Sequence, residues 1–140
     1  MLCVADALDG LAWAESIGGL KGLIARTSAN FNTIDAWVKK TDWIDFLSVD
    51  EKTRSPTSVC LKITAPWFTS LDDAGQQAAV KDLVGKLESE KIAFDIASYR
   101  DAPAGLRIWC GATVDAADLA ALMPWLEWAY GEVVRNKAAA

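Results

Sequence analysis

Residues 98–114 have the sequence SYRDAPAGLRIWCGATV, in which a turn separates two short runs. Pro103 and Gly105 favour a turn, since proline fixes one backbone angle and glycine admits conformations that other residues avoid. After the turn, Arg107 and Trp109 alternate with hydrophobic residues, as in a strand with one buried face. The hydrophobic residues are Leu106, Ile108 and Cys110 after the turn, and Ile92, Phe94 and Ile96 before it. We therefore predict a hairpin of two strands with a loose loop.

Hydrophobic spacing predicts most of the other elements. The first forty residues favour two amphipathic helices, divided at Gly18 and Gly19 and ending near residue 40. Residues 58–63 alternate as a half-buried strand. Ser70 and Asp73 resemble a capping box that would begin a helix, and its buried stripe would be Val80, Leu83, Val84 and Leu87.

A last helix is predicted after residue 114, where Asp115 and Asp118 would cap it and Pro124 would kink it. The order of elements indicates an α+β fold, with helices packed on one face of a small, mostly antiparallel sheet. A long N-terminal helical segment precedes it. We predict a helical segment over residues 1–40 and a domain over residues 41–140, which suits a chain of 140 residues.

Composition narrows the possible functions. A net charge of −5 provides no general attraction for nucleic acid or anionic membranes. No apolar run approaches a membrane span and the start lacks a signal peptide, so we expect a cytoplasmic protein. The three cysteines lie far apart, which argues against disulfides and a cysteine zinc site. Because the chain has no histidine, imidazole bases and histidine metal sites are excluded. We predict no metal site and no catalytic residue in the chain.

Arg100 and Arg107 flank the DAPAGL turn, so a hairpin would bring both guanidinium groups toward one end of the sheet. Guanidinium groups bind carboxylate and phosphate through paired, charge-assisted hydrogen bonds, which suits a small metabolite with two anionic ends. The spacing alone equally allows surface salt bridges with Asp95 or Asp101.

Three other side chains near these strands have simpler interpretations. Arg54 stands at a strand entrance and is expected to pair with a carboxylate such as Asp45 or Asp50. Trp109 could line one side of an anion pocket, although an aromatic residue in a strand more commonly packs against a helix. Cys110 is expected to fill the core, because no basic group is placed to lower its pKa.

Four stretches resemble phosphoserine aminotransferases, in the order in which that family carries them. The strand that opens the family's small domain resembles RSPTSVCLK at residues 54–62, and the substrate-binding hairpin resembles SYRDAPAGLRIWCGATV. The closing helix resembles VDAADLAALMPWLEWAY at residues 114–130. The first twenty residues resemble the long helix that follows the family's cofactor-phosphate contact, which is missing here. The resemblance is to the C-terminal small domain of these class V, fold type I enzymes.

This resemblance implies roles for the two arginines. Arg107 matches the family arginine that binds the substrate α-carboxylate, and Arg100 matches an arginine that contacts the substrate phosphate. The implied enzyme converts glutamate and 3-phosphohydroxypyruvate to O-phosphoserine and 2-oxoglutarate in serine biosynthesis. Its pyridoxal 5′-phosphate is held by a lysine of the large domain, and none of the nine lysines here has that context. The chain alone is therefore expected to bind no cofactor and to be inactive, while the full-length enzyme is expected to be a cytoplasmic homodimer.

Two other functions remain open from the residues alone. The chain could be a free-standing α+β module that binds an amino acid or oxo acid and regulates another protein. It could also be a dimerisation domain with no role in substrate binding. A reading frame that extends about 200 residues or more upstream would favour the aminotransferase domain over the module, because one domain of this size needs no such length. Arg107→Ala in the intact protein would support the dimerisation domain if it left substrate affinity unchanged.

Overall fold

Five helices and three strands make up residues 2–138, which are the residues described by this computed structural model. Their order confirms the predicted α+β class and the N-terminal helical segment. In chain order the elements are α1 (Leu2–Ser16), α2 (Gly19–Val38), β1 (Ile44–Phe46), a short 3-10 helix (Glu51–Thr53), β2 (Ser58–Ile63), α3 (Pro66–Thr69), α4 (Asp73–Ser89), β3 (Gly105–Trp109) and α5 (Ala116–Ala138).

The sheet is antiparallel throughout, with strand order β1-β2-β3. Strand β2 covers the predicted residues 58–63, and its Val59, Leu61 and Ile63 side chains are buried. The alternate positions of β2 and β3 form the opposite face, where Cys60 lies opposite Arg107 and Ser58 opposite Trp109. The helices therefore cover one face of the sheet, as predicted, and leave Arg107 and Trp109 on the other.

Two glycines separate the first two helices. Gly18 and Gly19 have φ angles of 100° and 63°, which side chains other than glycine rarely adopt. Helix α2 packs against α5 and buries Asn30, Ile34 and Val38. Helix α1 buries no residue. The break at the glycines therefore divides a helix that belongs to the core from one that lies outside it.

Helix α4 confirms the predicted buried stripe, since Val80, Leu83, Val84 and Leu87 are all buried. Its predicted start was wrong by two residues. Asp72 is the capping residue, and its carboxylate accepts a hydrogen bond of 2.8 Å from the Gly75 backbone nitrogen. Ser70 instead follows α3, and its hydroxyl donates to the Trp67 carbonyl oxygen. The unpredicted turn of α3 therefore occupies the position that the sequence assigned to the cap.

The predicted strand over residues 92–96 is wrong. Residues 90–104 form no regular strand, and they pair with β3 only through a single bridge between Ala97 and Leu106. Lys91 and Asp95 have φ angles of 59° and 53°, which interrupt the extended backbone that a strand requires. The expected two-stranded hairpin is thus an irregular segment that joins α4 to β3.

Strand β1 has three residues, too few for alternation to predict it. The last helix is confirmed and continues through Pro124. None of the helices that residues 2–138 form is long and apolar enough to span a membrane.

Candidate anion-binding site

Arg107 lies in the middle of β3 and faces the side of the sheet that the helices leave uncovered. Only 14% of its side chain is exposed. Its guanidinium carbon lies 4.5 Å from the centroid of the Tyr99 ring, a cation–π contact. Strand and ring together fix the plane of the guanidinium group, so this arginine is oriented before any ligand arrives.

The Arg107 guanidinium group is only partly paired. Its Nη2 donates to a carboxylate oxygen of Asp95 at 3.0 Å and to the Asp95 carbonyl oxygen at 3.2 Å. Its Nε is buried and has no hydrogen-bond partner among the described residues. The salt bridge with Asp95 that the sequence allowed is therefore formed, and it leaves unused a donor that a bidentate carboxylate would engage.

Arg100 is exposed and lies in the turn that precedes β3. It lines a hollow of about 430 Å³ together with Asp73, Gln76 and Asp101. Arg107 lines a different hollow of about 310 Å³, which includes Asp95 and Trp109. Because residues 92–96 are not a strand, the turn is not closed as a hairpin. The structure thus places Arg107 in the middle of β3 and Arg100 in the turn before it, and the two line separate hollows.

Arg54 pairs with a carboxylate, as expected, although the partner is Glu51 at 3.5 Å and not Asp45 or Asp50. Its Nε donates to the Ser48 carbonyl oxygen, and its guanidinium carbon lies 4.1 Å from the Phe46 ring centroid. These contacts satisfy Arg54 within its own loop and explain why its side chain is only 15% exposed.

Trp109 is half-exposed and does not lie in the core, contrary to the expectation that it packs against a helix. Its indole nitrogen donates to the Thr113 hydroxyl at 3.3 Å. The ring covers Gly111 so closely that a Cβ there would lie 2.3 Å from it, so only glycine fits. Trp109 therefore packs on the turn that follows β3, and it lines the same hollow as Arg107.

Two residues that the sequence did not single out hold the chain after β3. Asn30 is 1% exposed, and its amide nitrogen donates to the carbonyl oxygens of Cys110, Gly111 and Val114 at 2.8–3.1 Å. Arg26 donates to the Ala112 carbonyl oxygen at 2.8 Å and also pairs with the Asp115 carboxylate. Asn30 is a polar residue on the apolar stripe of α2, four positions before Ile34. That placement was the signal that could have revealed it.

No lysine of the described residues offers a site for a pyridoxal cofactor. A Schiff-base lysine needs a pocket that lowers its pKa, and among residues 2–138 Asn30 is the one polar or charged residue that is fully buried. The Asp35 carboxylate, by hydrogen bond and by charge, instead raises the pKa of Lys39. These residues therefore do not fit the cofactor, and any cofactor chemistry must come from outside them.

Cys110 is fully buried, and its burial raises the pKa of its thiol to about 12. Its interpretation as a core residue is confirmed, since a thiol protonated at neutral pH is a poor nucleophile. Among the described residues, no group of three or more histidine, cysteine or carboxylate side chains could hold a metal ion.

No protein-family model matches the chain. It is 49% identical to phosphoserine aminotransferase of Methanosarcina mazei over 130 residues, which cover 93% of this chain and 32% of that protein. It is 51% identical to phosphoserine aminotransferase of Methanosarcina barkeri over 133 residues, 95% of this chain and 33% of that protein. The chain thus spans about a third of the length of these curated relatives.

The fold also occurs in solved structures. Phosphoserine aminotransferase from Bacillus circulans subsp. alkalophilus superposes with a TM-score of 0.68 and 20% identity, over 86% of this chain and 30% of that one. The sequence identity and the common fold confirm the resemblance drawn from the sequence. This chain is therefore similar in sequence to about a third of the length of two Methanosarcina phosphoserine aminotransferases, and similar in fold to 30% of the Bacillus circulans enzyme.

Proposed function

We propose that the chain is the C-terminal small domain of a phosphoserine aminotransferase and supplies the recognition of its anionic substrate. The reaction would be the transfer of the amino group of glutamate to 3-phosphohydroxypyruvate, which yields O-phosphoserine and 2-oxoglutarate. The observation that carries the proposal is an identity of about 50% to two such enzymes over nearly the whole chain. The partly paired guanidinium group of Arg107 supports it.

In this proposal Arg107 binds the substrate α-carboxylate and Arg100 its phosphate. The Nε and Nη2 of Arg107 form one edge of the guanidinium plane, and a carboxylate matches that edge with two parallel hydrogen bonds. Tyr99 holds the plane in position, which reduces the ordering that binding would otherwise require. Arg100 stays charged and exposed, so it can meet a phosphate without first losing a buried partner.

The chemistry would come from the rest of the enzyme, whose pyridoxal phosphate acts as an electron sink during amino transfer. We propose that the chain alone binds no cofactor covalently and has no aminotransferase activity. Purified chain mixed with pyridoxal phosphate should show no Schiff-base absorbance and should not convert glutamate. A yellow protein that transaminates would contradict this proposal.

The exposed apolar surface of α1 favours contact with a partner that would cover it. Helix α1 buries no residue, and large apolar side chains on α1 and the start of α2 are 56–79% exposed. These side chains are Leu2, Val4, Leu8, Leu11, Leu20 and Ile24. A patch of this kind favours contact with another protein surface. We propose the large domain of the same enzyme as that surface, in a cytoplasmic homodimer.

The division into a helical segment 1–40 and a domain 41–140 stays a prediction.

Titration of the ¹⁵N-labelled chain with O-phosphoserine tests the recognition step. We expect the Arg107 Nε–H resonance to shift with ligand, because that proton gains an acceptor. Arg107→Lys keeps the charge but loses the planar pair of donors, and should bind about tenfold more weakly or worse. Arg135→Lys, at an exposed arginine of α5 that pairs with Glu132, is the matched control and should bind like the wild type.

Equal affinities of the wild type and the Arg107→Lys variant would refute the proposed role of Arg107. Titrations with serine and aspartate then separate the two ends of the ligand. Serine lacks the phosphate and should bind more weakly, whereas aspartate tests whether a second carboxylate replaces it. Arg100→Lys should weaken the binding of O-phosphoserine more than that of serine.

A further inference from the structure

Asp95 occupies the position where a ligand carboxylate would meet Arg107. One of its carboxylate oxygens lies 3.0 Å from Nη2 of Arg107, and its own carbonyl oxygen lies 3.2 Å from the same nitrogen. The Asp95 side chain is 91% exposed, whereas that of Arg107 is 14% exposed. An exposed carboxylate thus pairs with a largely buried guanidinium group that also contacts the Tyr99 ring.

The contact uses only part of what Arg107 offers. Both contacts of Asp95 fall on Nη2, and Nε stays buried without a partner. A carboxylate aligned with the guanidinium edge would engage Nε and Nη2 together. Asp95 is tied to its own backbone and contacts one nitrogen, so it pairs with Arg107 less completely than a free carboxylate could.

The segment that carries Asp95 makes few backbone contacts with β3. Its φ of 53° lies in the left-handed region, which aspartate tolerates better than most residues but at some cost. The segment is held to β3 by one bridge at Ala97 and by hydrogen bonds from the Ser98 and Arg107 backbone nitrogens to Gly105 and Ile96. Nothing among these contacts requires the Asp95 side chain to remain on Arg107.

We infer that Asp95 is an internal carboxylate that occupies Arg107 in the absence of ligand and is exchanged for the ligand's carboxylate on binding. Asp95 then sets a threshold for affinity, because every ligand must replace one ion pair before it gains its own. Ligands that pair with Arg107 bidentately more than offset this cost, and those that offer a single acceptor do not. Because the cost is the same for both, Asp95 lowers the affinity of every ligand that binds Arg107 through a carboxylate. This inference rests on the proposed function, since it assumes that Arg107 is the ligand's binding group.

Asp95→Asn tests the exchange. Asparagine tolerates the same left-handed backbone and keeps the side-chain shape, but it removes the charge that competes for Arg107. The variant should bind O-phosphoserine about two- to fivefold more tightly than the wild type, the range expected for an exposed ion pair. Glu88→Gln removes an equal charge from the exposed end of α4 and should bind like the wild type. Binding is followed in every chain at the backbone amide resonances of β3, and also at the Arg107 Nε–H resonance in the chains that keep Arg107.

The outcomes separate the two proposals. If Asp95→Asn binds more tightly than Glu88→Gln, and Arg107→Lys binds weakly, the exchange is supported. If binding depends on Arg107 but Asp95→Asn binds no more tightly than Glu88→Gln, the exchange is refuted and the proposed function stands. If Arg107→Lys binds as well as the wild type, or if none of the chains binds O-phosphoserine, the role of Arg107 fails and the exchange fails with it. Acetate, titrated into the same chains, meets Arg107 with the same carboxylate edge, so it should show a similar fold gain in Asp95→Asn, and the absence of any gain would count against the exchange.

Discussion

Asn30→Ala removes the buried amide that joins α2 to the chain after β3. Asn30 is 1% exposed, and its amide nitrogen donates to three carbonyl oxygens, those of Cys110, Gly111 and Val114. The three carbonyl oxygens differ in the other hydrogen-bond donors that they contact. Gly111 O also accepts from the Val114 backbone nitrogen, and Val114 O keeps a 3.5 Å contact with Arg26. For Cys110 O, Asn30 is the one donor found among the described residues.

The expected cost follows from these partners. A buried carbonyl that loses its donor costs about 1–3 kcal/mol, and this applies in full to Cys110. The two other carbonyls each lose one of two partners, which adds about 0.5–1 kcal/mol in total. We therefore expect Asn30→Ala to lower the free energy of unfolding by about 1.5–4 kcal/mol. Guanidinium unfolding followed by tryptophan fluorescence measures the change in midpoint.

Asn32→Ala provides the matched control, because Asn32 lies on the exposed side of the same helix. It should change stability by less than about 0.5 kcal/mol. A difference of less than about 1 kcal/mol between the two variants would refute the view that the amide holds the turn. Asn30→Asp should be worse than Asn30→Ala at neutral pH, because a carboxylate would face three carbonyl oxygens with no proton to donate.

Two further predictions concern the buried Cys110 thiol and the exposed Glu127 carboxylate. Burial raises the pKa of Cys110 to about 12, so above pH 9 the unfolded chain releases a thiol proton that the native chain retains. The free energy of unfolding should therefore fall as the pH rises from 9 to 12, by about 1.4 kcal/mol at pH 10, and Cys110→Ala should lack this part of the decline. Glu127 accepts hydrogen bonds from the indole nitrogens of Trp37 and Trp43, each at 2.9 Å, and Glu127→Ala should lower the free energy of unfolding by about 1–2 kcal/mol. A thermal melt of Glu127→Ala that matches the wild type would show that these contacts do not stabilise the fold.

Periodic elements were predictable because their burial follows from local spacing. The stripe of α4 and the alternation of β2 put all their apolar residues on one side, and the core lies on that side. Alternation also placed Arg107 on the uncovered face. The same rule was wrong for residues 92–96, because left-handed backbone at Lys91 and Asp95 interrupts the strand. No local sequence pattern predicts that left-handed backbone.

The candidate site, like the fold, has some features that the sequence determined and others that only the tertiary structure decided. The sequence by itself determined that the chain holds guanidinium groups near a turn and no imidazole, so histidine chemistry was excluded, while recognition of anions stays a prediction. Only the tertiary structure decided that Arg107 pairs with Asp95 and that Arg100 lines a separate hollow. Side-chain pairing depends on how an irregular segment crosses the sheet, and that path is set by contacts between residues distant in sequence, which spacing along the chain does not encode.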